Sequence, residues 1–120
     1  MAQKILIVDD DPVIVRLIEA LLTDNSYDVI TADDGLDALV KIKTENPDLV
    51  LLDVNLPEIN GYDICYQLRF NDEFKRIPII LLTKRRNELG GKVGQRVNIE
   101  YVPKPVNPEL LFKTVQKLLP

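Results

Sequence analysis

LVLLDVNLP, residues 49–57, sets four consecutive apolar residues against a carboxylate. Leu49-Val50-Leu51-Leu52 has the continuous apolar character of a strand covered on both faces. The run stops on Asp53, a poor strand residue whose ionised carboxylate is costly to bury without a partner. Pro57 and the pair Asn60-Gly61 then turn the chain at once. Asp53 is therefore expected at the carboxyl end of a central strand, at the mouth of a tight βα loop. In open α/β sheets that edge is where ligands bind. An Asp in this place also ends strands and caps turns for purely structural reasons, so the weight of the reading falls on how the other strands end.

Working outward, Lys4 to Val8 (KILIV) is a second buried run, and it ends on Asp9-Asp10-Asp11. Pro12 follows, and apolar residues then recur with helical spacing at Val13, Ile14, Leu17, Ile18, Leu21 and Leu22. Asp11 before Pro12 has the form of an N-cap with Pro at the first helical position, which leaves Asp9 and Asp10 without a structural task. Tyr27 to Thr31 alternates in polarity, as an edge strand does. Asp34-Gly35 opens a helix with Leu36, Leu39, Val40 and Ile42 on one side, closed by Asn46-Pro47. Beyond Asp53, a helix after Gly61 spaces Tyr62, Cys65 and Leu68 by threes. Ile77 to Leu82 is a fourth strand, ending on Thr83. Ile99 to Val102 is a fifth, followed by Lys104-Pro105. Glu109 to Leu119 is a last helix with Leu111, Val115 and Leu118 inward, Asn107 as cap and Pro108 at N1. Between Thr83 and Ile99, Leu89, Val93 and Val97 keep a helical stripe. Gly90, Gly91 and Gly94 weaken it, each by up to ~1 kcal/mol relative to Ala, so a short helix is expected there. Strand and helix alternate five times, the pattern of a parallel sheet with helices on both faces.

Bulk properties narrow the function. The 120 residues suit one domain, 1–120. With 15 basic against 19 acidic residues and a net charge of −4, nothing in the charge balance calls for nucleic-acid binding. Lys84, Arg85, Arg86, Lys92 and Arg96 gather over one helix-length, as solvated faces do. A single cysteine, Cys65, excludes an internal disulfide and fits core filling. Without histidine the chain has no His-based catalysis or His metal ligand, and it is not itself a phosphohistidine donor. No apolar run reaches the ~18 residues of a membrane span, and strand character within a few residues of Met1 leaves no signal peptide expected. A cytoplasmic location is expected.

Four strands thus end on polar groups: Asp9 and Asp10, Asp53, Thr83, and Lys104 with Pro105. Parallel strands place such ends along one edge, roughly 4.8 Å between neighbours. Were the first and third strands adjacent, three carboxylates would converge, and like charges so close do not all stay ionised unaided. A divalent cation resolves the conflict, and hard oxygen ligands without His or Cys select Mg²⁺ or Mn²⁺. Lys104 adds a second positive charge. Such a site suits a phosphoryl group: a carboxylate can act as nucleophile and form an aspartyl phosphate, while cations and a hydroxyl offset charge on the transferring group.

The motifs ILIVDDDP, LVLLDVNLPEINGYD, PIILLT and YVPKPVNPELL together resemble the receiver domain of two-component response regulators, from Ile5 to Leu119. The resemblance implies a flavodoxin-like (βα)5 fold with strand order 2-1-3-4-5. It implies Asp53 as phosphoacceptor, supplied by a histidine kinase or phosphotransfer protein. It implies Mg²⁺ held by Asp10 and Asp53, by Asp9 mostly through water, and by the backbone carbonyl of Asn55. Thr83 and Lys104 would contact the phosphoryl oxygens, the Lys104–Pro105 bond would be cis, and Tyr101 would be the aromatic switch residue. The output would be a downstream effector or a fused domain, and the chain is expected to be a monomer or a phosphorylation-dependent homodimer. The domain would assist its own phosphorylation and dephosphorylation and turn over no separate metabolite.

Two features depart from the family pattern. Lys84 stands where a small residue is usual, and its long cationic side chain would either crowd an incoming phosphohistidine or attract phosphate. The helix before the fifth strand, part of the family's output surface, is glycine-rich. The competing reading is a phosphorylation-independent interaction module of the same fold. A phosphohydrolase would want an acidic residue where Asn55 stands. A flavin site would want a phosphate-cradling loop where the acidic Asp9-Asp10-Asp11 lies.

Overall fold

A computed structural model describes residues 2–84 and 98–119. The elements run β1 (Lys4–Val8), α1 (Pro12–Asp24), β2 (Asp28–Ala32), α2 (Gly35–Glu45), β3 (Leu49–Asp53), α3 (Gly61–Arg69), β4 (Ile79–Thr83), β5 (Ile99–Pro103) and α4 (Pro108–Leu118). The helix expected between Thr83 and Ile99, and with it Arg85, Arg86, Lys92 and Arg96, lies outside the described residues. All five strands pair in parallel in the order β2-β1-β3-β4-β5. This is the doubly wound, flavodoxin-like order.

The three inner strands are apolar on both faces because both faces are covered. β3 is buried along its whole length. Its residues alternate between two cores. Val50 and Leu52 meet Leu6, Val8 and Leu81 with Ala38, Ile42, Ile64 and Leu68. Leu49 and Leu51 meet Ile5, Ile7, Ile80 and Leu82 with Ile18, Leu22, Leu111 and Val115. The edge strand β2 is covered less, in keeping with its alternating sequence.

The helix starts follow the expected chemistry. Asp11 accepts from the amide of Val13 at 3.0 Å, with Pro12 at the first helical position. Asp34 accepts from Asp37 at 2.8 Å, and Asn107 accepts from Glu109 at 2.9 Å and Leu110 at 3.2 Å. Each oxygen satisfies an amide that the first helical turn leaves without a partner.

The inward faces are narrower than the apolar spacing suggests. On α2 the buried residues are Gly35, Ala38 and Ile42, whereas Leu36 and Val40 point to solvent. The reason is steric: a Cβ on Gly35 would sit 2.9 Å from Ile64 Cδ1, so this helix approaches α3 through its small residues. On α1, Ile18 and Leu22 are buried, and Val13 and Leu17 are exposed. β4 begins at Ile79 rather than Ile77 and takes in Thr83. Pro78 has no amide to give the ladder, though its carbonyl accepts from Val50. Phe74, in the turns after α3, is 4% exposed and completes the core on the α2–α3 side.

Candidate functional site

The register of the central strands assembles the site. β1 and β3 are neighbours, with Val8 opposite Leu52, so Asp9 and Asp53 leave the sheet side by side. On the other side of β3, Asp53 lies opposite Leu82, and Thr83 lies opposite Pro103 of β5. One edge of the sheet therefore carries Asp9, Asp10, Asp53, Thr83 and Lys104. Asp9, Asp53 and Thr83 are buried polar residues, whereas Asp10 is exposed.

Local hydrogen bonds fix the carboxylates. Asp9 Oδ1 accepts from the Asp11 amide at 2.9 Å, and Asp53 Oδ1 accepts from the Asn55 amide at 3.1 Å. Each carboxylate is thus held by the turn that follows its own strand. The second oxygens face a shared cation: Lys104 Nζ lies 3.0 Å from Asp9 Oδ2 and 3.3 Å from Asp53 Oδ2. Asp9 Oδ2 is buried, and the ammonium meets it as an ion pair. Lys104 is itself placed by its backbone: its amide donates to the Thr83 carbonyl at 2.8 Å. The Lys104–Pro105 peptide is cis.

The electrostatics show a site short of positive charge. Burial raises the Asp53 pKa, and the neighbouring Asp9 carboxylate raises it further. The Asn55 amide and Lys104 pull it back without cancelling the rise. Burial lowers the Lys104 pKa, but Asp9 and then Asp53 outweigh it and hold the ammonium above its ordinary pKa. One lysine between two buried carboxylates, with a third beside them, leaves negative charge in excess.

The donor set fits a hard cation. Asp9, Asp10 and Asp53 each offer an oxygen, and these oxygens lie within 4.8 Å of one another. Carboxylates alone, with no nitrogen or sulfur ligand, suit Mg²⁺ or Mn²⁺. The buried Asp9 Oδ2, which has only its ion pair with Lys104 among the described residues, and the raised Asp53 pKa are both features that a bound dication would relieve.

The pocket above this edge is lined by Asp9, Asp10, Asp53, Asn55, Lys84 and Lys104, together with Asp11 and Ile14. The last two were not singled out from the sequence as site residues, because helix capping and core periodicity already accounted for them. Asn55 contributes its backbone, and its side chain is exposed. Tyr101 is not among the lining residues. It lies opposite Leu81 on β5, half-buried against the core on the α2–α3 side. Glu58, in the loop after β3, holds a left-handed backbone with φ 66°, a conformation that costs a residue with a Cβ.

Fold and site together define a doubly wound domain with an acidic pocket at the carboxyl edge of its sheet. Residues 5–116 match the response regulator receiver domain. The chain is 41% identical over 120 residues to the alkaline phosphatase synthesis transcriptional regulatory protein PhoP of Bacillus subtilis, a match covering 99% of this chain and 49% of that protein. It is 35% identical to the protein PilH of Pseudomonas aeruginosa, covering 97% of each. Its fold superposes on the chemotaxis response regulator CheY4 of Vibrio cholerae with a TM-score of 0.88 and 34% identity, covering 98% of this chain and 99% of that one. The chain belongs to the response regulator receiver domain family of two-component signalling. It spans about half the length of the transcriptional regulators it matches, such as PhoP, and nearly all of PilH. Receiver domains of this family bind Mg²⁺ at an acidic pocket and work with histidine kinases and output domains. Among the described residues no helix is long and apolar enough to cross a membrane.

Proposed function

We propose that this chain is a phosphorylation-driven switch whose acceptor is Asp53. The observation that carries the reading is the placement of the Asp53 carboxylate, fixed at Oδ1 by the Asn55 amide and facing Lys104 at 3.3 Å beside Asp9. An Oδ atom of Asp53 forms a bond to phosphorus as the N–P bond of a phosphohistidine on a histidine kinase or phosphotransfer protein breaks. The histidine leaves with its nitrogen free to take a proton. Asp9, Asp10 and Asp53 would hold Mg²⁺, with the Asn55 carbonyl as a further ligand, and the ion supplies positive charge at the transferring group. Lys104 and the Thr83 hydroxyl then face phosphoryl oxygens, and the buried position of both limits water there.

The output is a change of partner affinity, not turnover of a metabolite. Thr83, at the end of β4, moves toward the phosphate and shifts a two-state equilibrium, and Tyr101, on the strand beside it, turns inward and reports that shift to a partner or to a fused output domain. A monomer and a phosphorylation-dependent homodimer both fit this reading, as does a cytoplasmic location beside the kinase. With its acidic charge the domain itself is not a nucleic-acid binder.

Intact mass after incubation with Mg²⁺ and acetyl phosphate tests the acceptor. Wild type is expected to gain one phosphoryl group, Asp53→Ala to gain none, and chelation to abolish the gain. Equal phosphorylation of Asp53→Ala would overturn the assignment. A wild type that takes neither phosphate nor beryllofluoride would leave a phosphorylation-independent interaction module.

A further inference from the structure

We propose that Lys84 is the charge-balancing residue of the phosphorylated site, a second cation that favours the aspartyl phosphate over the free carboxylate. The inference rests on Asp53 being the acceptor and adds a residue to that site. Lys84 follows the last residue of β4, is exposed, and lines the same pocket as Asp9, Asp10, Asp53 and Lys104. Lys104 cannot serve additional charge freely, because its buried ammonium already spans Asp9 and Asp53 at 3.0 and 3.3 Å.

Counting charges gives Lys84 its task. Three carboxylates carry three negative charges, and a dication with Lys104 offsets all three. Phosphorylation converts the single charge of Asp53 into the two charges of an acyl phosphate dianion, so the site becomes negative by one. Among the described residues, Lys84 is the one further cation that lines the pocket. Before phosphorylation the same ammonium stands in a site that is already balanced, where it only repels the dication. Lys84 therefore acts in opposite directions on the two ligands: it weakens Mg²⁺ binding to the free carboxylates and strengthens the complex that carries a phosphoryl group.

Lys84→Met removes the charge and keeps the length of the side chain, and Lys84→Arg keeps the charge. Affinity for Mg²⁺ alone, followed by NMR shifts, and affinity for beryllofluoride in saturating Mg²⁺ are measured on wild type and both variants. For an exposed charge at the mouth of the pocket the expected effects are about three- to tenfold. Lys84→Met binds Mg²⁺ more tightly and beryllofluoride more weakly, Lys84→Arg stays near wild type, and added salt narrows both differences. A merely structural change would move both affinities the same way. Beryllofluoride affinity unchanged in Lys84→Met, or both affinities lowered together, would overturn the role of Lys84 while leaving the acceptor in place. Beryllofluoride binding retained by Asp53→Asn would instead overturn the acceptor assignment, and the role of Lys84 with it.

Discussion

Burial and the Asp9 carboxylate both press Asp53 toward its protonated form, so at neutral pH the metal-free fold holds a charge that it disfavours. The sign of the pH dependence follows. A carboxyl whose folded pKa lies above the unfolded value costs stability when ionised in both states. That cost shrinks as pH falls through the folded pKa and is gone below the unfolded one. Asp53→Asn keeps an oxygen for the Asn55 amide and removes the charge. It is expected to stabilise the metal-free protein near neutral pH by about 1 kcal/mol. At about pH 3 the gain should vanish, because wild type is then protonated in both states. Melting temperatures in a chelator at the two pH values check this, and a variant less stable than wild type at neutral pH would contradict it. The carboxylates, the hydroxyl and the lysine were legible from where apolar runs stopped. The Lys104 pairing with both Asp9 and Asp53 was not, since sequence order does not say which oxygen an ammonium will meet.

Elements are joined at this site by close backbone approach. A Cβ on Gly61 would lie 2.4 Å from the Asp53 carbonyl oxygen and 2.9 Å from Val54 Cα, and the Gly61 amide donates to the Val54 carbonyl at 2.9 Å. The start of α3 is thus pressed against the end of β3, and neither neighbouring atom is a side chain that can swing away. Gly61→Ala is expected to cost about 1–3 kcal/mol and to lower the yield of phosphorylated Asp53. Gly35→Ala should cost less, because its closest contacts, Ile64 Cδ1 at 2.9 Å and Ile59 Cβ at 3.0 Å, are side-chain atoms and lie farther off than the backbone oxygen at Gly61. Urea unfolding of both variants ranks them, and equal costs would show that the backbone at Gly61 yields. The sequence marked Gly61 as a turn residue. That it is a contact residue emerges only when α3 docks. The same docking explains why Leu36 and Val40 face outward although their spacing is helical: periodicity finds an apolar stripe, but the small residues decide which part of it touches.

At the scale of the whole molecule, two apolar cores share one sheet, and β3 contributes side chains to both. This predicts a single cooperative unit over the described residues. Ile42→Val thins the core on the α2–α3 side and Ile18→Val the core on the α1–α4 side, each for about 0.5–1.5 kcal/mol. In the double variant the two costs should add within about 0.5 kcal/mol, as for sites without shared partners, and unfolding should remain one transition by every probe. Two separable transitions would mean that the faces fold independently. The parallel architecture was readable from five alternations of strand and helix. The strand order was not, because no local pattern says that the chain returns to the far side of β1 before building β4 and β5.

The hydrogen bond from the Lys104 amide to the Thr83 carbonyl has a mechanical consequence. It ties the backbone under the hydroxyl directly to the backbone under the ammonium, next to the Thr83–Pro103 pairing of β4 and β5. The two groups that flank Asp53 on this side are therefore one jaw, not two fingers, and the site opens or closes with fewer independent movements than its residues would suggest.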